Sequence, residues 1–540
     1  MVRIDYFVFS TINFYDTLVL YYQDLSFWLE LSKGEYFNMI DFLISLAPIA
    51  VMLVTLLLMK MPAKKASAIT FAVAMIEFTF IYKPGLEGTM ITIEKGLAMG
   101  LFVGLIAIGA MLLYNLVDMA GGFNTINNFL STLFKDRFAL FILICWTFSA
   151  FLQGIAGYGL PAVIATTILI KAGYDPAKSA AAALLGHSWA ISFGSMGSSI
   201  YAIDLVTDAS FHEILVGMSK YGSMGMLACG MGVCFIYGGF SHVIKGLKFV
   251  LPTWLAMTAS LYFMAKLEMV SVIGFVTGLV GVIAMMVTYR LISKETYDHF
   301  EKKQIKDLLN GVLPYILIVV MSIGFFILDP SWKITFSFPG YETLLGAVVP
   351  AEQDYVKFNI LKYPFTIILI TTIISLIYYD RIGQLKLNSF GTIVKKTWKK
   401  IYSTEITLFL LLCTANIMMD SGMIITLSTS IVAFTGGLYP IMAAVVGAIG
   451  AFITGSNTNS NILFGALQEN AALSLGMSPA LMCAAQSIAA SVGGAIGPTT
   501  TALSATAAGK TGHESEVYHH TLLPTLAAVA AIGVMNLLML

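Results

Sequence analysis

The sequence has 540 residues, of which 58% are hydrophobic and 11% are charged, and its mean hydropathy is +0.84. This composition excludes a soluble globular domain and predicts a polytopic membrane protein whose solvent is the lipid bilayer. The 30 basic residues balance the 30 acidic residues, so the charge predicts no nucleic-acid partner.

The chain begins with a mixed polar and aromatic segment, residues 1–36, which lacks the basic start and cleavage site of a signal peptide. Its acidic residues favour an interfacial segment on the membrane surface over the alternative of a membrane span. We expect residues 37–540 to form a single transmembrane domain. Apolar runs of about 20 residues predict about 12–14 membrane segments and an all-α integral membrane protein. These runs lie near 40–59, 66–82, 97–117, 137–152, 176–200, 222–240, 249–265, 269–290, 309–328, 363–379, 402–419, 438–454, 480–497 and 521–540.

Two loops, 290–306 and 381–400, carry most of the clustered lysines and arginines. Because basic loops remain on the cytoplasmic side of a membrane, we predict that both are cytoplasmic. Two predicted spans separate them, so the acidic loop 330–361 is expected to face outward.

An internal repeat is the most informative pattern. An offset of 301 residues aligns Asn115 with Asn416 and Gly154 with Gly455, and an offset of 303 aligns Pro176 with Pro479 and Ser188 with Ser491. We predict two structural repeats, 115–200 and 416–503, each with a re-entrant hairpin at a Gly-rich or polar break. Chance matching in Gly- and Ala-rich sequence is the alternative. Duplicated units with broken helices are typical of secondary transporters.

The break of the second copy is a run of small and polar residues between two apolar stretches. Its members are Gly455, Ser456, Asn457, Thr458, Asn459, Ser460 and Asn461. At membrane depth their backbone groups need partners. A helix that starts near Asn461 would present free N–H groups and the positive end of its dipole, which suits a carboxylate. An extramembrane loop between two ordinary helices is the alternative.

The first copy has a Gly-rich break, in which Gly154, Gly157, Tyr158 and Gly159 precede Pro161. Glycines allow a backbone to approach a ligand, although tight helix packing uses the same residues. Pro161 suits the first turn of the following helix. A second break follows in each copy, and there Ser188 and Thr499 are candidates for the same site.

Few ionisable residues fall within apolar segments, and these are candidates for proton coupling. His187 has an ordinary pKa near the working pH, and Asp118 and Asp420 occupy nearly matching places in the two copies. A packing histidine and helix ends at the membrane interface are the alternatives. The five cysteines lack C-x-x-C spacing, which favours free thiols and predicts no metal site and no cofactor.

The stretch 455–479, GSNTNSNILFGALQENAALSLGMSP, and the following Ala484-Ala485-Gln486-Ser487 resemble the lactate permease family. The family shows G-S-x-T-x-S-N-x-L-F-G-x-L-Q at this place. The resemblance implies an elevator-type arrangement, adds Gln486 to the site, and implies proton-coupled movement of L-lactate, D-lactate or glycolate through the plasma membrane. His187-Ser188 and Gly497-Pro498-Thr499 depart from the family pattern, which affects the expected substrate more than transport itself.

We therefore predict a secondary active transporter for L-lactate and related small 2-hydroxy monocarboxylates, coupled to protons. A sodium-coupled carrier of another small organic anion is the first alternative, and a channel or uniporter is the second. An enzyme is not expected, because the sequence has neither a G-x-S-x-G nor an H-E-x-x-H motif. The expected partners are the anion and the bilayer, and the sequence leaves the oligomeric state open.

Overall fold

The computed structural model describes residues 39–123, 125–126, 135–155, 157, 159–293, 302–328 and 332–540. The chain divides into two units, Met1–Ile44 and Ser45–Leu540. Of the first unit, residues 39–44 are described and begin a helix. The predicted interfacial segment 1–36 lies outside the described residues.

Helices form most of the described chain, because a helix satisfies its own backbone groups where water is absent. In chain order they are α1 (Met39–Leu53), α2 (Ala63–Glu77), α3 (Gly85–Met119), α4 (Arg137–Ile142), α5 (Ser149–Ile155), α6 (Leu160–Lys171), α7 (Pro176–Ser188), α8 (Ser198–Leu205), α9 (Phe211–Gly238), α10 (Phe240–Lys266), α11 (Val270–Ser293), α12 (Lys302–Leu328), α13 (Pro364–Arg381), α14 (Phe390–Asp420), α15 (Met423–Thr435), α16 (Tyr439–Thr454), α17 (Asn457–Ser474), α18 (Pro479–Gly493), α19 (Pro498–Ala507) and α20 (Glu514–Met539). A π-helical turn, Leu143–Phe148, joins α4 to α5.

Among the described residues, 13 helical stretches are long and apolar enough to cross a membrane, in agreement with the predicted number. The predicted span 176–200 is wrong as a single helix. Helix α7 ends at Ser188, and Ser195 and Met196 adopt φ values of 47° and 57° before α8 begins at Ser198. L-residues in the left-handed region do not continue a right-handed helix, so this segment is a helix, a turn and a second short helix.

The loop 330–361 contains four short strands that were not predicted. Strand β1 (Lys333–Phe338) pairs antiparallel with β4 (Glu352–Asn359), and β2 (Tyr341–Glu342) pairs with β3 (Val348–Val349). We call this segment the β-hairpin. Strands this short carry no signal in a search for apolar runs of span length, so the all-α prediction holds for the membrane segments and not for this loop.

Helices α3 and α14 pack side by side in antiparallel directions, and we call them the long helix pair. Gly96 of α3 faces Cys413 of α14, and Gly100 faces Phe409. A third glycine, Gly104, follows at the same four-residue interval and faces α14 as well. Small residues at this spacing clear one face of a membrane helix, so its partner approaches closely.

The Gly96→Ala substitution is expected to lower the free energy of unfolding by about 1–3 kcal/mol, because overpacking displaces backbone. The added Cβ would lie 2.5 Å from the Cα of Cys413. The measurement is thermal unfolding in detergent micelles. Gly391→Ala on α14 is the control, since no atom lies within 4 Å of its added Cβ. Equal losses for both variants would contradict close packing at Gly96.

An ion pair closes the long helix pair at each end. At the end next to the β-hairpin, which we call the β-hairpin end, Lys95 Nζ lies 3.2 Å from Asp420 Oδ1 and 3.0 Å from Glu352 Oε1. At the basic end, Lys396 Nζ lies 2.8 Å from Asp118 Oδ2. Each lysine therefore pairs with an aspartate of the other helix.

The helix order around the first predicted break also occurs around the second. Helices α5 and α6 meet at the first break, and α16 and α17 meet at the second. Each hairpin is followed by a helix that begins with proline, at Pro176 or Pro479. A short 3-10 turn and another short helix then follow in both segments, and a helix of span length comes next.

Candidate functional site

A cavity of about 370 Å³ lies between the tips of the two helical hairpins and the long helix pair. One side, which we call the hairpin side, is formed by the two segments that contain the helical hairpins α5–α6 and α16–α17. Its residues are Gln153, Gly159, His187, Ile191, Ser195, Ser198, Ser199, Thr454, Gly455, Ser456, Asn457, Thr458, Asn459, Gly494, Thr499, Thr500 and Leu503. Its opposite side is formed by Ala63, Val103, Ala107, Lys400, Ser403, Thr404, Glu405, Thr407 and Leu408.

The turn between α16 and α17 forms one edge of the cavity. Gly455 ends α16 with a φ of 67°, and a side chain there would collide with Thr499. Ser456 caps α17, because its Oγ accepts from the N–H of Asn459 at 3.3 Å. The predicted helix start near Asn461 is therefore wrong by about one turn. The Ser cap signal places the start at Asn457, and the polar run forms the first turns of a helix instead of a loop.

Asn457 has one satisfied and one unsatisfied end. Its Nδ2 donates to Ser192 Oγ at 2.8 Å, whereas its buried Oδ1 has no hydrogen-bond partner among the described residues. The hydroxyls of Thr458 and Ser199 lie 2.9 Å apart. The first turn of α17 thus contains a free acceptor on a residue that lines the cavity.

Three predicted site residues hold the second hairpin together and do not line the cavity. Ser460 Oγ donates to the carbonyl of Gly447 at 2.9 Å, and Gln486 Nε2 donates to Ser460 Oγ at 3.2 Å. Asn461 Nδ2 donates to the carbonyl of Ser199 at 2.8 Å, which joins α17 to α8. These residues bond α17 to its neighbouring helices and do not contact the cavity.

The first break contributes less of the cavity than predicted. Gly159 lines it and precedes α6, where Pro161 occupies the first turn as expected. Gly157 lies against Ser195, and Gly154 packs against the backbone of α11. Tyr158 lies outside the described residues. Two of the three predicted glycines therefore serve close packing.

His187 lines the cavity, and its Nδ1 lies 2.6 Å from the carbonyl oxygen of Ala183. A carbonyl oxygen only accepts, so Nδ1 carries the hydrogen and Nε2 is free to accept in the neutral ring. The neighbouring Ser188 is fully buried, donates to the carbonyl of Leu185 at 2.8 Å and is not part of the lining. Asp118 and Asp420 lie in the ion pairs of the long helix pair, and the structure does not bring them to the cavity.

Lys400 is a cavity residue that sequence analysis assigned to a loop. Helix α14 begins at Phe390, so Lys400 lies in its third turn. Its Nζ donates to Asn115 Oδ1 at 3.2 Å and lies 4.9 Å from the centre of the Tyr114 ring. Lys400 forms no ion pair with any residue that the structure describes. The cavity therefore contains a lysine that forms no ion pair within the described residues.

Glu405 was also missed, although it lies within the predicted span 402–419. Its side chain lines the cavity and is 5% exposed. Neither carboxylate oxygen has a hydrogen-bond partner in the described part of the chain. An ionisable residue within an apolar run is a functional candidate by default, and that signal singles out Glu405.

The arrangement suits a small organic anion. The lysine and the hydroxyls can donate to a carboxylate, the unsatisfied amide oxygens can accept from a hydroxyl group, and the space is larger than a three-carbon acid. Within the described residues, no group of three or more His, Cys, Asp or Glu side chains could hold a metal ion. All five cysteines are buried and unpaired.

The fold and the cavity define a multi-pass membrane protein with a polar site between its helices. The chain belongs to the L-lactate permease family, whose family model matches residues 41–540. This confirms the resemblance in the stretch 455–479. The L-lactate permease of Streptococcus iniae is 30% identical over 433 residues, which cover 77% of this chain and 86% of that protein.

Other relatives cover more of the chain. The L-lactate permease of Bacillus subtilis (strain 168) and the glycolate permease of Escherichia coli (strain K12) are each 25% identical over 544 residues, with 92% of this chain and 95% of each relative covered. Among solved structures, the Alcanivorax borkumensis YdaH transporter covers 82% of this chain and 86% of its own, at 16% identity and a TM-score of 0.43. By its family, this protein is a multi-pass plasma-membrane transporter that belongs with the lactate and glycolate permeases. Membership in a family of permeases agrees with the expectation that it is not an enzyme.

Proposed function

We propose that this protein carries L-lactate and related small 2-hydroxy monocarboxylates across the plasma membrane together with a proton. The observation that carries the proposal is the lysine in the cavity. Lys400 has no carboxylate partner among the described residues, and the first turn of α17 borders the same space. A carboxylate is stabilised both by an ammonium group and by the N–H groups at a helix N-terminus.

The 2-hydroxyl of the substrate has a partner in the same cavity. Asn457 Oδ1 and Gln153 Oε1 are buried acceptors without partners among the described residues. A hydroxyl donates where a keto group or a hydrogen atom does not. We therefore expect lactate and glycolate to bind more tightly than pyruvate and propionate, because an unsatisfied buried acceptor costs free energy.

A proton would remove the electrical cost of substrate entry. Moving one negative charge inward against the membrane potential costs about 2.3 kcal/mol per 100 mV. A co-transported proton makes the transported pair neutral, so uptake no longer opposes the potential.

We also propose that 115–200 and 416–503 are structural repeats, and that the two hairpins move as a unit against the long helix pair in an elevator-type cycle. Two observations support the repeat. The helix order is the same in both segments. Lys95 and Lys396, which form reciprocal ion pairs, are separated by the same 301 residues that align Asn115 with Asn416.

The test of the function is uptake of radiolabelled L-lactate by proteoliposomes under an inward proton gradient, an inward sodium gradient or neither. Accumulation with the proton gradient alone is expected. Accumulation with sodium alone would overturn proton coupling, uptake that never exceeds equilibrium would indicate a uniporter, and no uptake in any condition would indicate another anion.

The Asn457→Ala substitution is expected to raise the apparent KM for L-lactate about tenfold, because one hydrogen bond to the substrate is worth about 1–1.5 kcal/mol. The apparent KM for propionate should change much less. Asn470→Ala is the matched control, since Asn470 is on the same helix and bonds its own backbone at Ala466. Equal changes for lactate and propionate would contradict the role of Asn457 in hydroxyl recognition.

A further inference from the structure

We propose that Glu405 is the group that binds and releases the co-transported proton, an inference that rests on the proton-coupled function proposed above. Glu405 lies on α14 opposite Gly104 of α3, where a side chain on the glycine would collide with Glu405 Oε2. At 1.5 Å per residue along α14, Glu405 is roughly 14 Å from Lys396 at the basic end and roughly 22 Å from Asp420 at the β-hairpin end. Glu405 is therefore well inside the membrane-spanning part of the helix pair.

The surroundings of Glu405 do not replace the water that a charged carboxylate needs. Its side chain is 5% exposed, and neither oxygen has a hydrogen-bond partner among the described residues. Burial of an unpaired charge costs several kcal/mol. A neutral, protonated carboxyl group avoids most of this cost.

The other titratable groups near Glu405 are engaged elsewhere or stand apart from it. Lys400 bonds Asn115, and His187 on the hairpin side bonds the carbonyl of Ala183. Tyr363 at the start of α13 donates to the carbonyl of Phe102.

Further titratable groups lie on the helices that pack against α14. Helix α3 carries Glu87, Glu94, Lys95, Tyr114 and Asp118. From α2, Lys64 lies over the ring of Tyr402, and the same helix carries Lys65 and Glu77. From α17, Glu469 accepts from the N–H of Asp208. Of the carboxyl groups in the described chain, Glu405 is the one that lines the cavity.

Binding of the anion and binding of the proton favour each other in this cavity. When Glu405 is ionised, its negative charge repels a substrate carboxylate in the same small space and competes for Lys400. Protonation of either carboxylate oxygen removes this repulsion, and substrate binding in turn favours the protonated form. Thermodynamic linkage requires that the two effects be equal, which is the coupling that a symporter needs.

The carboxylates named by sequence analysis are less suited to this role. Asp118 and Asp420 are each held by a lysine at an end of the long helix pair, away from the cavity. Neither aspartate therefore shares a space with the substrate carboxylate, which coupling through charge requires. Glu405 has no lysine partner within the described residues.

The test is Glu405→Gln, which keeps the shape of the side chain and fixes it in an uncharged form. For wild type, the dissociation constant of L-lactate is expected to rise as the pH is raised from 5.5 to 8. In Glu405→Gln this pH dependence is expected to disappear, and accumulation driven by a proton gradient is expected to fall at least tenfold. Glu405→Asp, which keeps a carboxyl group, is expected to retain the pH dependence of wild type.

Controls separate the proton site from a structural effect. Glu469→Gln alters a buried carboxylate outside the cavity and is expected to keep the wild-type pH profile. An unchanged pH profile in Glu405→Gln overturns the proposal. If the profile is then flat in His187→Gln, His187 is the proton site instead. If Glu405→Gln loses all binding, the outcome for Glu405→Asp decides: a normal profile supports the proposal, and loss of binding overturns it. If wild type itself shows no accumulation under a proton gradient, the proposed function has failed before any variant is compared.

Discussion

Replacing Lys95 by methionine is expected to lower the free energy of unfolding by about 3–5 kcal/mol, the usual cost of removing one partner of a buried ion pair. Lys95 is 1% exposed and Asp420 is 8% exposed. Without the lysine, Asp420 would retain hydrogen bonds from Thr92 and Tyr341 but no cation. Thermal or denaturant unfolding in detergent micelles measures the loss.

The basic end of the long helix pair supplies the matched control. Lys396 and Asp118 form the corresponding pair, but each side chain is 38% exposed. Ion pairs exposed to this degree contribute about 0–1 kcal/mol, so Lys396→Met is expected to be nearly neutral. Similar losses of stability at both ends would contradict the view that burial makes the ion pair at the β-hairpin end the more stabilising of the two.

A double variant distinguishes the charge from the packing. Lys95→Met combined with Asp420→Leu removes both charges of the buried pair and leaves apolar groups of similar volume, while Glu352, whose side chain is 33% exposed, keeps its charge near solvent. Because the desolvation cost of a buried pair is large, the double variant is expected to recover much of the stability lost in Lys95→Met. Failure to recover would indicate that the loss arises from altered contacts with the β-hairpin.

The membrane segments were predictable because the bilayer imposes a length and an apolar composition on every span. The interactions that orient them were not. Lys95 and Asp420 are 325 residues apart in the sequence, and no local pattern indicates that they pair. The start of α17 at Asn457 could have been predicted, since Ser456 is a good helix cap. The whole polar run was instead interpreted as the break of a re-entrant hairpin, which moved the predicted helix start to Asn461.

Sequence analysis named eight of the 26 residues that line the cavity. The polar run supplied Ser456, Asn457, Thr458 and Asn459, because a cluster of polar groups at membrane depth needs partners wherever it lies. The opposite side comes mainly from one face of α14, with Ala63 of α2 and Val103 and Ala107 of α3. There the informative residues are single, such as Glu405, and a lysine near a basic loop is ordinarily a topology signal.

Replacing Lys400 by methionine is expected to raise the apparent KM for L-lactate roughly 10- to 100-fold, because a charge-assisted hydrogen bond contributes about 1.5–3 kcal/mol. Methionine keeps an unbranched apolar stem beside the ring of Tyr114 and removes the ammonium group. The measurement is the concentration dependence of initial uptake into proteoliposomes at a fixed proton gradient.

Lys399→Met separates the cavity charge from the general basic character of this end of α14. Lys399 is the adjacent residue and does not line the cavity, so its replacement is expected to leave the apparent KM within about twofold of wild type. If both variants weaken uptake equally, the basic surface attracts the anion and Lys400 does not bind it. If Lys400→Met alone weakens uptake, and does so for lactate and propionate alike, Lys400 recognises the carboxylate, which both acids share, whereas Asn457 distinguishes them by the hydroxyl.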